Sequence, residues 1–160
     1  MNVPTFVVAV VALVLSGAAL TWNVLTYLWQ GQRAKLSVSV MNALSPGYKE
    51  PFLEIAVSAP GRQPFQIVGW AITYGSNKHI HSAIAESEIG SSPVARASEK
   101  LPALVNPGRR VTFNVPVSFI DQVQGANGLD PGEGHVQVFF AARRTLRDRN
   151  SLAAHLNTSS

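Results

Sequence analysis

The 160-residue chain contains no cysteine. That excludes disulfides and thiolate metal sites and leaves the redox compartment open. Charge is missing from its first part: all 13 Lys+Arg and all 9 Asp+Glu lie after Gln32. No Gly-x-Ser-x-Gly elbow and no Walker-type Gly-rich loop occurs. Serine, histidine and aspartate are present without the frame that would make them a hydrolase or nucleotide site. The reading is therefore non-enzymatic, with no cofactor. A formal net charge of +4 is too small to argue for nucleic acid, so no nucleic-acid partner is expected. Internal repeats and low-complexity tracts are absent as well.

What is present begins with Phe6 to Trp29, FVVAVVALVLSGAALTWNVLTYLW. As a helix, its 24 residues span about 36 Å, enough to cross a hydrocarbon core of about 30 Å with some tilt. The expectation is one membrane-spanning helix within residues 1–32. The competing reading is a cleaved signal peptide, for which Ser16-Gly17-Ala18 offers small residues. No basic side chain precedes the apolar run, however, and hydrophobicity continues past Ala18 to Trp29. An uncleaved anchor is the reading adopted.

Tyr27 and Trp29 suit the headgroup level at the carboxyl end of this helix, and Arg33 and Lys35 follow at once. The positive-inside rule then puts the carboxyl side in the cytoplasm. Ala9, Ala12, Ser16, Ala19, Asn23 and Thr26 recur at spacings of three and four. They form a face of small and polar residues suited to packing against a second copy or another membrane protein. The bland alternative is that alanine is simply common in such helices.

From Arg33 the periodicity changes. Leu36, Val38 and Val40 alternate with polar neighbours, as do Leu53, Ile55 and Val57 within Phe52 to Ala59. Phe65 to Tyr74 reads as a central strand with two apolar faces: Phe65 and Ile67 on one, Val68, Trp70, Ile72 and Tyr74 on the other. Trp70 is taken as a core aromatic. His79 to Ala85 suits a short strand. Glu86 to Lys100 reads as a loop, with a short strand near Val94. Leu101 to Val105 suits an edge because of Pro102. Arg110 to Val117 alternates again. Ser118 to Gln124 fits one or two helical turns with Ser118 at the N-cap. Gly125 to Gly134 reads as a loop, His135 to Ala142 as a strand, and residues 151–160 as a frayed tail. The fold class is thus mainly β: an antiparallel sandwich over 33–150 behind one helix.

Three pieces carry a resemblance: APGRQPFQIVGWAITYG, LPALVNPGRRVTFNVPVSFI and HVQVFFAARRTLRDR. With them the chain resembles the small immunoglobulin-like domains that follow one membrane helix in uncharacterised proteins of high-GC bacteria. The insertion Ile84 to Arg96 departs from the compact form. The resemblance implies an immunoglobulin-like β-sandwich and no activity.

Two constellations remain. His79 and His81, two apart on a strand, point to one side and would bind zinc or copper if Glu86, Glu88 or His135 came near. Surface histidines beside a turn are the plainer reading. Arg143, Arg144, Arg147 and Arg149 face only Asp148 in sequence. They suit an acidic partner or anionic headgroups, against the plainer reading of a solvated turn. The function expected is a membrane-tethered interaction domain. An assembly subunit packed through its helix is the first alternative, and a metal or ligand sensor the second. The expected partners are the bilayer and either another protein or a second copy.

Overall fold

The computed structural model describes residues 3–30, 33–42, 50–75, 78–83, 97–142 and 144–157. Helix α1 (Val3–Gln30) is built from alanine, valine and leucine, with Pro4 at its start, where a missing N–H leaves no bond unmade. The domain follows as β1 (Lys35–Met41), β2 (Phe52–Ser58), β3 (Phe65–Thr73), β4 (His79–His81), β5 (Ala103–Val105), β6 (Arg110–Pro116), α2 (Val117–Asn127), a 3-10 turn (Pro131–Glu133), β7 (His135–Phe140), β8 (Thr145–Arg147) and α3 (Leu152–Asn157).

All strand pairs are antiparallel and fall into two sheets. One has the order β1-β2-β6; the other runs β4-β3-β7-β8, with β5 sharing the β4 edge of β3. The first follows from alternation. Leu53, Ile55 and Val57 pair in register with Val115, Phe113 and Val111, and all six are buried. Leu36, Val38 and Val40 extend the row on β1. Residues from both sheets form a single hydrophobic core, joined by Phe119 and Ile120 from α2 and Leu152 from α3.

Strand β3 is central, as expected, but its faces differ from the strict alternation read above. Its register against β7 shifts between Ile67 and Gly69. This irregularity changes the parity of the strand. Phe65 and Ile67 therefore join Trp70, Ile72 and Tyr74 in one core, while Val68 is 48% exposed. Gly69 brings no side chain to the irregular point, and a Cβ there would meet Ser82 Oγ at 3.5 Å.

Three further expectations are corrected. Helix α2 starts at Val117, directly after Pro116, so Ser118 lies inside its first turn and is not the cap. Pro116 occupies the cap position and offers no side-chain bond. The helix also extends beyond Gln124, into the stretch read as a loop, and stops at Gly128, whose left-handed φ of 60° suits glycine. Residues 152–157 are not frayed. They form α3, its Leu152 is fully buried, and the Leu152 N–H donates to the Gly134 carbonyl at 2.7 Å. The stretch near Val94 lies outside the described residues.

Candidate functional site

Within α1, Phe6–Thr26 has a mean hydropathy of 2.1 and none of it is buried against the domain. Leu13, Leu20 and Trp22 are each about 70% exposed or more. Among the described residues this is one helix long and apolar enough to cross a membrane. Three of its hydroxyls bond within the helix. Ser16 donates to the Ala12 carbonyl at 2.8 Å, Thr21 to Gly17 at 2.8 Å and Thr26 to Trp22 at 2.7 Å. Of the small-residue face, Ser16 and Thr26 are thus already bonded. The exposed Asn23 is the member whose amide has no partner among the described residues. Ala9, Ala12 and Ala19 are exposed beside it. The side chains of Tyr27 and Trp29 lie outside the described residues.

Register fixes which end of the domain meets α1. Lys35 pairs with Ser58, and Ser58 with Arg110. The turn from β2 to β3 is at the same end, where the Ala59 N–H donates to Arg109 and the Gly108 N–H to Ala59. In the second sheet, the Phe140 N–H donates to the Arg144 carbonyl at this end. Ala34, Phe65, Phe140, Ala142 and Arg144 line a small depression there. Phe65 and Phe140 meet edge to face at 5.2 Å between ring centroids. Helix α2 and the 3-10 turn cap the opposite end. Tyr74, following β3, reaches α2, where Gln124 Nε2 donates to its hydroxyl at 2.9 Å. Burial raises the Tyr74 phenol pKa above its ordinary value; the Gln124 bond lowers it and the charge of Asp121 adds to the rise.

The two histidines sit on the edge strand β4 with ring centroids 5.4 Å apart, and His79 Nδ1 lies 3.3 Å from Thr73 Oγ1. Both are exposed. His135 shares the tier of His79, since Thr73 pairs with both. Two strand spacings therefore separate its backbone from that of His79, roughly 9.6 Å. His135 Nδ1 lies 3.1 Å from the Asn150 carbonyl oxygen. No group of three or more metal-ligating side chains is placed together among the described residues. Glu86 and Glu88 lie outside them.

The arginine cluster is spread along β8. Arg144 is at the end near α1, whereas Arg147 pairs with Gln137 and Arg149 lies beyond it. Five residues of extended chain separate Arg144 from Arg149, roughly 17 Å. Arg143 lies outside the described residues. The sequence reading missed a contact in the same segment: His155 Nε2 and Asp148 Oδ2 lie 2.5 Å apart, both largely buried, and tie α3 to the end of β8. Asp148 follows β8 and His155 lies within α3, so the pair spans two elements and no single periodicity marks it.

No known protein family matches this sequence, and no characterised protein matches it.

Proposed function

We propose that the chain is a single-pass, membrane-tethered interaction domain without enzymatic activity. Helix α1 crosses the bilayer, and an immunoglobulin-like β-sandwich in the cytoplasm presents its loops and sheet edges to a protein partner. The observation that carries this reading is the wholly unburied apolar helix beside a domain that completes its own core. Such a helix leaves apolar surface that only lipid or another membrane helix covers.

The strand order supports the immunoglobulin-like part. A sheet β1-β2-β6 faces β4-β3-β7-β8, and the chain crosses between sheets after β2, before β6 and before β7. Those crossings agree with the Greek-key connectivity of such sandwiches, as does the burial of Trp70 on the third strand. The likeness to immunoglobulin-like domains behind one membrane helix agrees with the same order of parts. The end remote from α1 presents exposed Asp121 and Gln122 on α2, with Asp130 beyond it.

A second reading rests on Asn23: an assembly subunit packed through α1, where an amide with no partner among the described residues gains one from a neighbouring helix. Alkaline carbonate extraction followed by affinity purification of the full chain from native membranes tests both. Retention in the membrane, with co-purifying proteins lost on Asp121→Lys and Gln122→Lys substitution, supports the first reading. Loss on Asn23→Leu supports the second. Release of the chain by carbonate would overturn both.

A further inference from the structure

We propose that the end of the β-domain beside α1 is a basic docking surface for the anionic headgroups of the bilayer, which holds the domain against the membrane. This rests on α1 spanning the bilayer. Topology assembles the surface from separate segments. Arg33 and Lys35 come from the exit of α1, Arg62 from the turn between β2 and β3, Arg109 and Arg110 from the start of β6, and Arg144 from the turn before β8. All six are exposed. Glu54, in the middle of β2, pairs with Arg110. Glu99 lies one tier further up, its N–H donating to the Thr112 carbonyl, with Lys100 next to it in sequence. The opposite end carries the exposed acids Glu50, Asp121, Asp130 and Glu133 against Lys78 and Arg149. The domain therefore has its positive pole toward the helix.

The tether turns that pole toward the lipid. Only residues 31–34 separate α1 from β1, so Lys35 lies within roughly 18 Å of the helix end even when the link is fully extended. A shorter path brings Lys35 closer still, toward the Debye length of about 8 Å over which headgroup charge acts. Arginine forms paired hydrogen bonds to phosphate, and with Arg110 engaged by Glu54, four of the other five groups are arginine. The depression lined by Ala34, Phe65, Phe140 and Ala142 gives Arg144 an apolar footing at the same surface. A lipid interface suits that mixture of apolar floor and cationic rim.

The absence of cysteine allows single-site labels on the full chain. One label replaces Gln63 in the basic end and another replaces Gln122 on α2. Each is read by energy transfer to labelled headgroups in nanodiscs of phosphatidylcholine, with and without phosphatidylglycerol. Transfer from position 63 should rise severalfold with the anionic lipid and fall back in high salt, and position 122 should change little. Arg62→Glu, Arg109→Glu and Arg144→Glu together should abolish the rise, and lysine at the same positions should keep it. Equal transfer in neutral and anionic discs would overturn the proposal while leaving the tether intact. Failure of the chain to enter discs at all would overturn the tether. If the glutamate variant does not fold, the salt series on the native chain decides.

Discussion

Trp70 is 4% exposed on the central strand, in the core that both sheets share. Its burial was legible from the sequence because a tryptophan in a long apolar run flanked by turns has few other places to go. Trp70→Ala should destabilise the chain by about 3–5 kcal/mol, through lost burial and an unfilled cavity. Chemical denaturation of the full chain in detergent, followed by the β signal in circular dichroism, measures this. A change well under 1 kcal/mol would contradict its place in the core. The Tyr74–Gln124 bond was not legible, since it joins residues 50 apart through a helix whose start was misplaced. Tyr74 also sets an alkaline limit. Its folded pKa is raised, mainly by burial, so the folded state holds the phenol proton where the unfolded chain releases it. The stabilisation is complete below the ordinary tyrosine value of about 10 and is lost as pH rises through the folded pKa. Tyr74→Phe should therefore flatten the fall in stability above about pH 10 relative to the native chain. An identical alkaline fall in both would exclude this role.

At the scale of elements, alternation and turn chemistry show most of the strands in the sequence. Leu36, Val38 and Val40, then Leu53, Ile55 and Val57, alternate as a half-buried sheet requires. The face assignment failed on β3 because a register shift at Gly69 leaves no mark in strict alternation; its Ile-Val-Gly reads equally well as regular strand. The carboxyl helix failed for another reason. Six residues with one fully buried leucine have too little periodicity to stand out from a tail, and the helix holds by tertiary contacts. Gly134 shows how close those contacts are. A Cβ there would lie 3.0 Å from the Tyr74 ring and 3.1 Å from Leu152 Cβ. Leu152→Ala should accordingly cost about 2–5 kcal/mol, as for any buried leucine. Proteolysis should then cut the chain after Arg147 in the variant before it cuts the native chain. Equal protection of both would mean that α3 adds nothing to the domain.

For the whole molecule, the apolar helix was legible from hydropathy alone, and the basic end was not. Arg62, Arg109 and Arg144 are far apart in sequence, and only sheet register brings them to the end that carries Arg33 and Lys35. Conversely, Arg144, Arg147 and Arg149 are close in sequence, but an extended strand spreads them along the domain. The side of the bilayer expected to hold the domain is the one that charge at the helix ends favours. Arg33 and Lys35 lie just after α1, and no basic side chain lies before it, so the carboxyl side should be cytoplasmic. Long carboxyl domains translocate with less regard to such charges, and small β-sandwiches are often exported, which sets the opposing expectation. Protease treatment of intact spheroplasts, with a tag after Ser160, separates the two. A cytoplasmic domain keeps its tag until the membrane is lysed. Digestion of the tag in intact spheroplasts, while a cytoplasmic marker stays protected, would put the domain outside. The basic end would then meet the outer leaflet, and its preference for anionic lipid would act there.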